Sequence, residues 1–300
     1  MPNEAYRGLR TDETTRSQKV VPLPSDGKTS SEVVTFGDEP ASLAVPHLLG
    51  CTSVIVVSNR GAWANHIWEL PVFTPELDGE YDDEGDWLPN GKWIDPANQN
   101  SVDDFPAESQ RAYFKEHALD RLRTPYSTGP GNHASGLDSL RGQGGIFGEG
   151  SDPKVFLFLP YARGGNVPLW DHGGAPTPRA DEGVDSFNDQ IKAELREIFG
   201  GGLEFVQVLY RIDDDSDPQD TAWENPYGRA LVQYQPGDNT NREGAKAKWR
   251  VFFENAREPH ATAGEWDPED GQWCPASASA AASGLVGQRV LDVEALRGSV

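Results

Sequence analysis

A run of β-branched residues at 52–57 is the feature that most constrains how this chain folds. Val, Ile and Thr have stiff side chains that suit a pleated, half-buried strand, and this is the most β-prone run in the sequence. The turn formers Asn59 and Gly61 follow it, and residues 62–68 then form a second strand that carries His66. The sequence therefore predicts a β-hairpin that brings Cys51 close to His66, fifteen positions further along the chain.

The register of the hairpin decides whether the thiol and the imidazole share a face. A two-residue turn at Asn59 and Arg60 places His66 opposite Ser53, which points to the same side as Cys51. A three-residue turn with a bulge at Gly61 shifts the pairing by one residue and turns His66 to the other face. The sequence leaves both registers open.

A cysteine beside a histidine has a specific chemistry. The thiolate is the nucleophile, and an imidazole can lower the thiol pKa or take its proton. Gly50 allows close approach of a substrate to the backbone, so that the Cys51 N–H can stabilise an oxyanion. His47 is the reserve base if the register excludes His66. Four neighbouring residues are candidates for orienting the imidazole, and the sequence does not rank them: Thr52, Ser53, Asn65 and Glu69.

The segment Leu48-Leu49-Gly50-Cys51-Thr52, followed by a strand and then His66, resembles the core of the cytotoxic necrotizing factor-type glutamine deamidases, which include the bacterial chemoreceptor deamidase. The resemblance implies that Cys51 is the nucleophile and His66 the base. It covers about 25 of the 300 residues. Some members place a His-orienting Thr six residues before the Cys, where this chain has Val45, and other members use a backbone carbonyl instead.

The resemblance implies a protein glutamine deamidase of the toxin or effector type, which forms a thioester and can have transglutaminase side activity. Its partner would be a protein that presents a glutamine on a loop. A second hypothesis is a catalytically silent deamidase-like binding module that captures a basic protein partner through acidic, Trp-rich loops. A cysteine protease is a weaker alternative, because no protease signature surrounds Cys51.

Charge and composition exclude several classes of partner. With 26 basic and 48 acidic residues, the net charge of −22 repels nucleic acid and anionic membrane surfaces and attracts basic proteins. No apolar run is long enough to span a membrane, and residues 1–19 show no signal peptide. We therefore expect a cytoplasmic protein, or a secreted effector expressed without its leader.

We expect no cofactor and no metal. Asp213, Asp215, Asp217 and Glu224 match positions of a calcium loop, but Pro218 occupies the position at which the sharp turn needs Gly. His133, His172 and His260 lack partners at ligand spacing. The second cysteine, Cys274, could form a disulfide with Cys51 in an oxidising compartment.

The pattern of strands and helices predicts an α+β fold with a mixed β-sheet or β-sandwich core, flanking helices and long loops. We expect a flexible N-terminal arm at 1–31, in which residues 20–23 can pair along a sheet edge. A single α+β deamidase-like domain at 32–275 follows, and then a linker and tail at 276–300, with a short helix or a tail at 286–296. Beyond the hairpin, the predicted elements are strands at 32–36, 154–159, 203–212, 229–235 and 248–254, helices at 106–123 and 184–199, and irregular segments at 37–46, 71–101 and 126–150.

Overall fold

The computed structural model of this chain describes residues 18–23, 28–82, 87–104, 106–129, 132–161, 186–211, 228–237, 246–253, 261–262 and 289–292. The strands are β1 Gln18–Val20, β2 Ser30–Thr35, β3 Ala41–Val45, β4 Ser53–Val57, β5 Gly61–His66, β6 Leu77–Tyr81, β7 Trp87–Ile94, β8 Ser101–Val102, β9 Tyr126–Gly129, β10 Asn132–Ala134, β11 Lys154–Tyr161, β12 Phe205–Arg211, β13 Ala230–Gln235, β14 Lys248–Phe253, β15 Ala261–Thr262 and β16 Arg289–Asp292. The α-helices are α1 Ala107–Phe114, α2 Asp120–Arg123, α3 Leu137–Leu140 and α4 Phe187–Phe199, and π-helical turns occupy Glu69–Phe73 and Lys115–Leu119.

Two β-sheets form the centre of the molecule. The larger has the strand order β16-β12-β11-β4-β5-β2, and the smaller has the order β1-β3-β13-β14-β15. Strands β11 and β12 are parallel and are connected through α4, whereas β4 pairs with β11 in the antiparallel sense. The larger sheet is therefore mixed, because a helical crossover joins two of its parallel strands and a hairpin supplies two antiparallel ones.

Each face of the larger sheet buries its own core. On one face, side chains such as Ile55 and Phe158 pack with Val232 and Phe253 of the smaller sheet. On the other face, Val54 and Trp63 pack with helical residues such as Ile191. The two sheets pack face to face, and helices cover the opposite face of the larger sheet. The α+β class, with a β-sandwich core and flanking helices, is thus confirmed.

The hairpin has the register that a two-residue turn predicts. Val57 pairs with Ala62 and Ile55 with Ala64, and the Ser58 N–H donates to the Gly61 carbonyl at 2.9 Å. The Thr52–Ile67 bridge continues the same pairing to the open end. Because side chains alternate along each strand, Cys51 and His66 lie on the face that packs against the smaller sheet.

Both long helical predictions are confirmed. The predicted helix at 106–123 runs from Ala107 to Arg123, with the π-helical turn Lys115–Leu119 in its middle. The predicted helix at 184–199 begins at Phe187. Ser186 is its N-cap, because the Ser186 side chain accepts a hydrogen bond from the Asp189 N–H at 3.1 Å. It ends before Gly200, which has a positive φ of 101°. None of the described helices is long and apolar enough to cross a membrane.

Several segments predicted as irregular form strands instead. Residues 41–45 of the predicted loop form β3, which pairs with both β1 and β13. The segment 71–101 contains the three-stranded sheet β6-β7-β8, and 126–150 contains the β9–β10 hairpin and α3. Ala, Ser, Asp and Gly give these strands weak intrinsic propensity, so cross-strand pairing determines their structure.

The predicted terminal segments also differ from the structure. Residues 18–20 of the predicted flexible arm form β1, and Ser30 and Ser31 belong to β2 and are buried. Residues 289–292 form a strand that pairs with β12, where a helix or a tail was expected. The acidic pattern at 213–224, His172, His260 and Cys274 lie outside the described residues.

Candidate active site

The loop 46–50 that leads to Cys51 is held in a tight backbone conformation. His47 has a φ of 55° and Gly50 a φ of 99°. The Leu48 N–H donates to the Gly228 carbonyl at 2.6 Å, and the Leu49 N–H donates to the His47 carbonyl at 2.8 Å. A Cβ atom added to Gly228 would lie 2.8 Å from the Leu48 carbonyl oxygen, so only glycine permits this approach.

The site lies where strands of the larger sheet end. Ser53, two residues after Cys51, pairs with Phe158 near the carboxyl end of β11. Strand β12 ends beside β11, where Arg211 pairs with Tyr161. Ligand sites of α/β sheets form at the carboxyl ends of parallel strands, and Cys51 occupies that edge of this sheet.

The Cys51 side chain is buried and its residue is only 4% exposed. Burial raises the pKa of the thiol to about 12, although the nearby backbone N–H of Glu69 favours the thiolate; the negative charge of Glu69 raises the pKa further. The Tyr210 hydroxyl donates a hydrogen bond to the Cys51 carbonyl. In this state the thiol is protonated near neutral pH.

His66 is fully buried, and only one of its two ring nitrogens has a hydrogen-bond partner among the described residues. Its Nε2 lies 3.1 Å from the His47 carbonyl oxygen. Because a carbonyl only accepts, Nε2 is assigned the proton and Nδ1 carries the lone pair. Within the described part of the chain, Nδ1 has no hydrogen-bond partner. Burial lowers the pKa of the imidazole to about 4, so it is neutral near pH 7.

The hairpin thus places the two predicted site residues on one face without a hydrogen bond between them. Both are uncharged at neutral pH, since the thiol pKa is about 12 and the imidazole pKa about 4. Proton transfer from Cys51 to His66 is strongly unfavourable in this arrangement. The two side chains share a face of the sheet, and the thiol is not activated at rest.

Among the described residues, none of the four side chains expected to orient His66 forms a hydrogen bond with its imidazole. Ser53 donates to the Asn65 carbonyl at 2.6 Å, and the Asn65 side chain accepts from the Val54 N–H at 2.7 Å. The Thr52 hydroxyl has no partner among the described residues. The backbone carbonyl of His47 contacts the imidazole instead. The resemblance had raised a backbone carbonyl as the alternative orienting group, but the sequence could not indicate which residue supplies it.

The imidazole of His47 is a poor substitute for His66. The side chain is half-buried, and its pKa is lowered by burial and by the charge of Arg229. Its contact with His66 is through the backbone oxygen. His47 thus contacts His66 through its backbone carbonyl, and not through the imidazole that was expected as the reserve base.

Two features near the thiol were not found from the sequence. Burial raises the pKa of the Glu69 carboxyl to about 7, so this group titrates near neutral pH beside Cys51. Leu49 and Leu70, close in sequence to Cys51 and Glu69, are 44% and 43% exposed. Both side chains therefore present apolar surface to solvent near residues 51 and 69.

Comparisons with known proteins identify no relative. No protein-family model matches the chain, and neither a curated protein nor a solved structure matches it. The function is therefore argued from the site.

Proposed function

We propose that this protein is a protein glutamine deamidase in which Cys51 is the nucleophile and His66 the base. The hairpin register is the observation that carries the proposal, because it places both side chains on one face. The His47 carbonyl accepts a hydrogen bond from the Nε2–H of His66, and this leaves the Nδ1 lone pair as the acceptor for the thiol proton. The resemblance of the segment 48–52 to glutamine deamidases supports the same assignment.

The reaction begins when the Cys51 sulfur attacks the side-chain carbonyl carbon of a protein glutamine. His66 Nδ1 takes the thiol proton, and the carbonyl oxygen becomes an oxyanion. The Cys51 N–H donates to no backbone carbonyl in the described residues, so it is available to this oxyanion. Gly50 lacks a side chain that would obstruct the approach.

Collapse of the tetrahedral intermediate breaks the carbon–nitrogen bond. His66 returns its proton to the departing nitrogen, ammonia leaves and a thioester remains on Cys51. Water then attacks the thioester, His66 accepts a proton from the water, and glutamate and the free thiol are released. An amine that replaces water would give a transglutaminated product from the same intermediate.

The buried thiol makes the resting protein unreactive. A substrate must displace or rearrange the groups that cover Cys51 before the sulfur can attack. Binding energy from a protein loop can drive such a rearrangement, whereas free glutamine makes too few contacts. We therefore propose a protein substrate, and the net charge of −22 favours a basic surface around its glutamine.

The test compares glutamine-containing proteins before and after incubation with this protein. Ammonia release and the small mass gain of amide-to-acid conversion, localised to one glutamine, are expected. Cys51→Ala and His66→Ala should abolish both signals, and Cys274→Ser is the matched cysteine control that should retain them. Undiminished activity of Cys51→Ala would overturn the proposal.

A second candidate is the silent binding module, and the burial of Cys51 favours it. An exposure of 4% and a thiol pKa of about 12 are the properties expected of a structural cysteine. A thiol-reactive probe discriminates between the candidates in the presence of a substrate peptide. Rapid labelling of Cys51 that depends on His66 supports the enzyme, whereas slow labelling unaffected by His66→Ala supports the module.

A further inference from the structure

A second concave site lies on the helical side of the molecule. It is a cavity of about 560 Å³, bounded by the segment that follows Glu69, by the turn at 94–99 and by the helical residues 109–117. This volume is within the range of small-ligand pockets. Its walls include no residue of the Cys51–His66 pair.

Rings and apolar groups form part of the cavity wall. The rings of Tyr113 and His117 have their centroids 4.0 Å apart, and Pro71, Ile94 and Ala112 also line the cavity. His117 belongs to the π-helical turn Lys115–Leu119. Such turns frequently occur at functional sites, where they bring a side chain out of the regular helical position. Here the turn contains the imidazole that packs against Tyr113.

Two carboxylates give the cavity an excess of negative charge. The Glu76 carboxylate forms no ion pair or hydrogen bond among the described residues, whereas the Glu76 backbone carbonyl accepts from the Ile94 N–H at 2.8 Å. The Glu116 side chain is 73% exposed, and its nearest cationic neighbour is His117 Nε2 at 3.6 Å, which is charged only when protonated. Lys28 is the one lysine in the described wall, and it already interacts with another group of the chain.

We propose that this cavity binds a basic side chain of a protein partner, with a guanidinium as the best fit. The carboxylates of Glu76 and Glu116 would accept hydrogen bonds from the guanidinium, and the Tyr113 ring would provide a cation–π surface. Gln99, whose Nε2 donates to the Pro96 carbonyl at 3.3 Å, retains its side-chain oxygen as a further acceptor. The net charge of −22 steers a basic protein toward this surface.

The cavity gives the binding-module candidate a defined site, and binding in the cavity does not depend on the chemistry of Cys51. Pro71, which lines the cavity, is two residues from Glu69, whose backbone N–H is near the Cys51 thiol. The cavity nevertheless lies on the helical face of the larger sheet, whereas Cys51 belongs to the core between the two sheets. Binding can be measured in Cys51→Ala, so that failure of deamidation and failure of this site are separate results.

The experiment titrates full-length, isotopically labelled Cys51→Ala with arginine whose amino and carboxyl groups are both capped. Amide shifts at residues 94–99 and 109–117 are expected with the arginine derivative and not with the equally capped citrulline, which is neutral. Glu76→Gln and Glu116→Gln should each weaken binding about threefold. Glu108→Gln, an exposed change on α1 outside the cavity wall, should leave binding unchanged.

Equal binding of arginine and citrulline derivatives, or shifts that avoid the cavity, would overturn the proposal. So would an effect of Glu108→Gln that equals the effect of Glu76→Gln. A second titration compares an arginine-containing peptide with agmatine, a free amine with the same guanidinium. Tighter binding of the peptide supports a protein partner, and tighter binding of agmatine would contradict that assignment in favour of a small organic cation.

Discussion

The His47 carbonyl oxygen lies 3.1 Å from Nε2 of His66 and fixes the tautomer of the proposed base. The same oxygen accepts the Leu49 N–H at 2.8 Å, so a single backbone group connects the loop before Cys51 to the opposite strand. His47 has a positive φ of 55°, which directs this carbonyl toward the hairpin. Loop conformation and imidazole orientation are therefore coupled.

The first prediction separates the two possible contributions of His47. His47→Asn removes the imidazole, retains the carbonyl and suits the positive φ, because Asn tolerates that region better than most residues. Deamidation by this variant should remain within about threefold of the wild-type rate. A loss as large as that of His66→Ala, in a variant that is folded by circular dichroism, would instead identify the His47 imidazole as the base.

The second prediction concerns stability in acid. His66 has a folded-state pKa of about 4, below its ordinary value of 6.5, so the unfolded chain binds a proton at this position more readily. The contribution of neutral, buried His66 to the free energy of unfolding is present above pH 6.5 and is lost as the pH falls toward 4. This contribution is on the order of 3 kcal/mol.

Urea unfolding of wild type and His66→Gln between pH 7 and pH 4 measures this contribution. The wild type should lose more stability over that interval than the variant does. Parallel curves for the two proteins would show that His66 is not buried as a neutral group.

The third prediction concerns the charge beside the thiol. The ionised Glu69 carboxylate raises the pKa of Cys51, so Glu69→Gln should increase thiol labelling at pH 8 about two- to fivefold. Below pH 7 the wild-type carboxyl is protonated and the two rates should converge, because the pKa of Glu69 is about 7.

Glu108→Gln is the matched control for this measurement, since it removes an exposed carboxylate of α1 that is outside the surroundings of Cys51. The rate of thiol labelling in this variant should equal the wild-type rate at every pH. A rate increase in Glu69→Gln that is the same at pH 6 and pH 8 would point to loosened packing rather than to charge.

The fourth prediction concerns the loop that leads to Cys51. Gly228→Ala would place a Cβ atom 2.8 Å from the Leu48 carbonyl oxygen at a residue with a φ of 62°. The expected loss is about 1–3 kcal/mol of unfolding free energy, together with reduced deamidation. Gly201→Ala is the matched control, because nothing lies within 4 Å of its added Cβ. Equal melting temperatures for the two variants would contradict the assigned constraint.

Local signals in the sequence were sufficient to predict a hairpin and the long helices, although they left two registers of the hairpin open. The two-residue turn at Asn59 and Arg60 sets the register, and the β-branched run identifies β4. The apolar stripe of α4 includes Ile191 and Leu195, with Ser186 as its cap. In each case the interaction partners are near in sequence, and the pattern is therefore readable without the fold.

The remaining structure depends on distant partners. Strand β3 contains Ala41 and Ser42, which have weak strand propensity, and its pairing with β13 determines its conformation. The burial of Cys51 likewise depends on tertiary packing, since Tyr210 comes from β12. The His47 carbonyl has no sequence signature. The sequence therefore pointed to Cys51 and His66, which the hairpin brings to one face, but not to the groups that bury Cys51 and contact His66.

The most direct test of the proposed chemistry is covalent trapping of Cys51 by a peptide in which a glutamine is replaced by a carbon electrophile of the same shape. Intact mass and peptide mapping at pH 7.5 would report the modified residue in wild type, His66→Ala and Cys274→Ser. We expect stoichiometric labelling at Cys51 in wild type and Cys274→Ser, and very slow labelling in His66→Ala. Labelling of Cys51 that is equally slow in all three proteins, or that is independent of His66, would contradict the assignment of these residues as nucleophile and base.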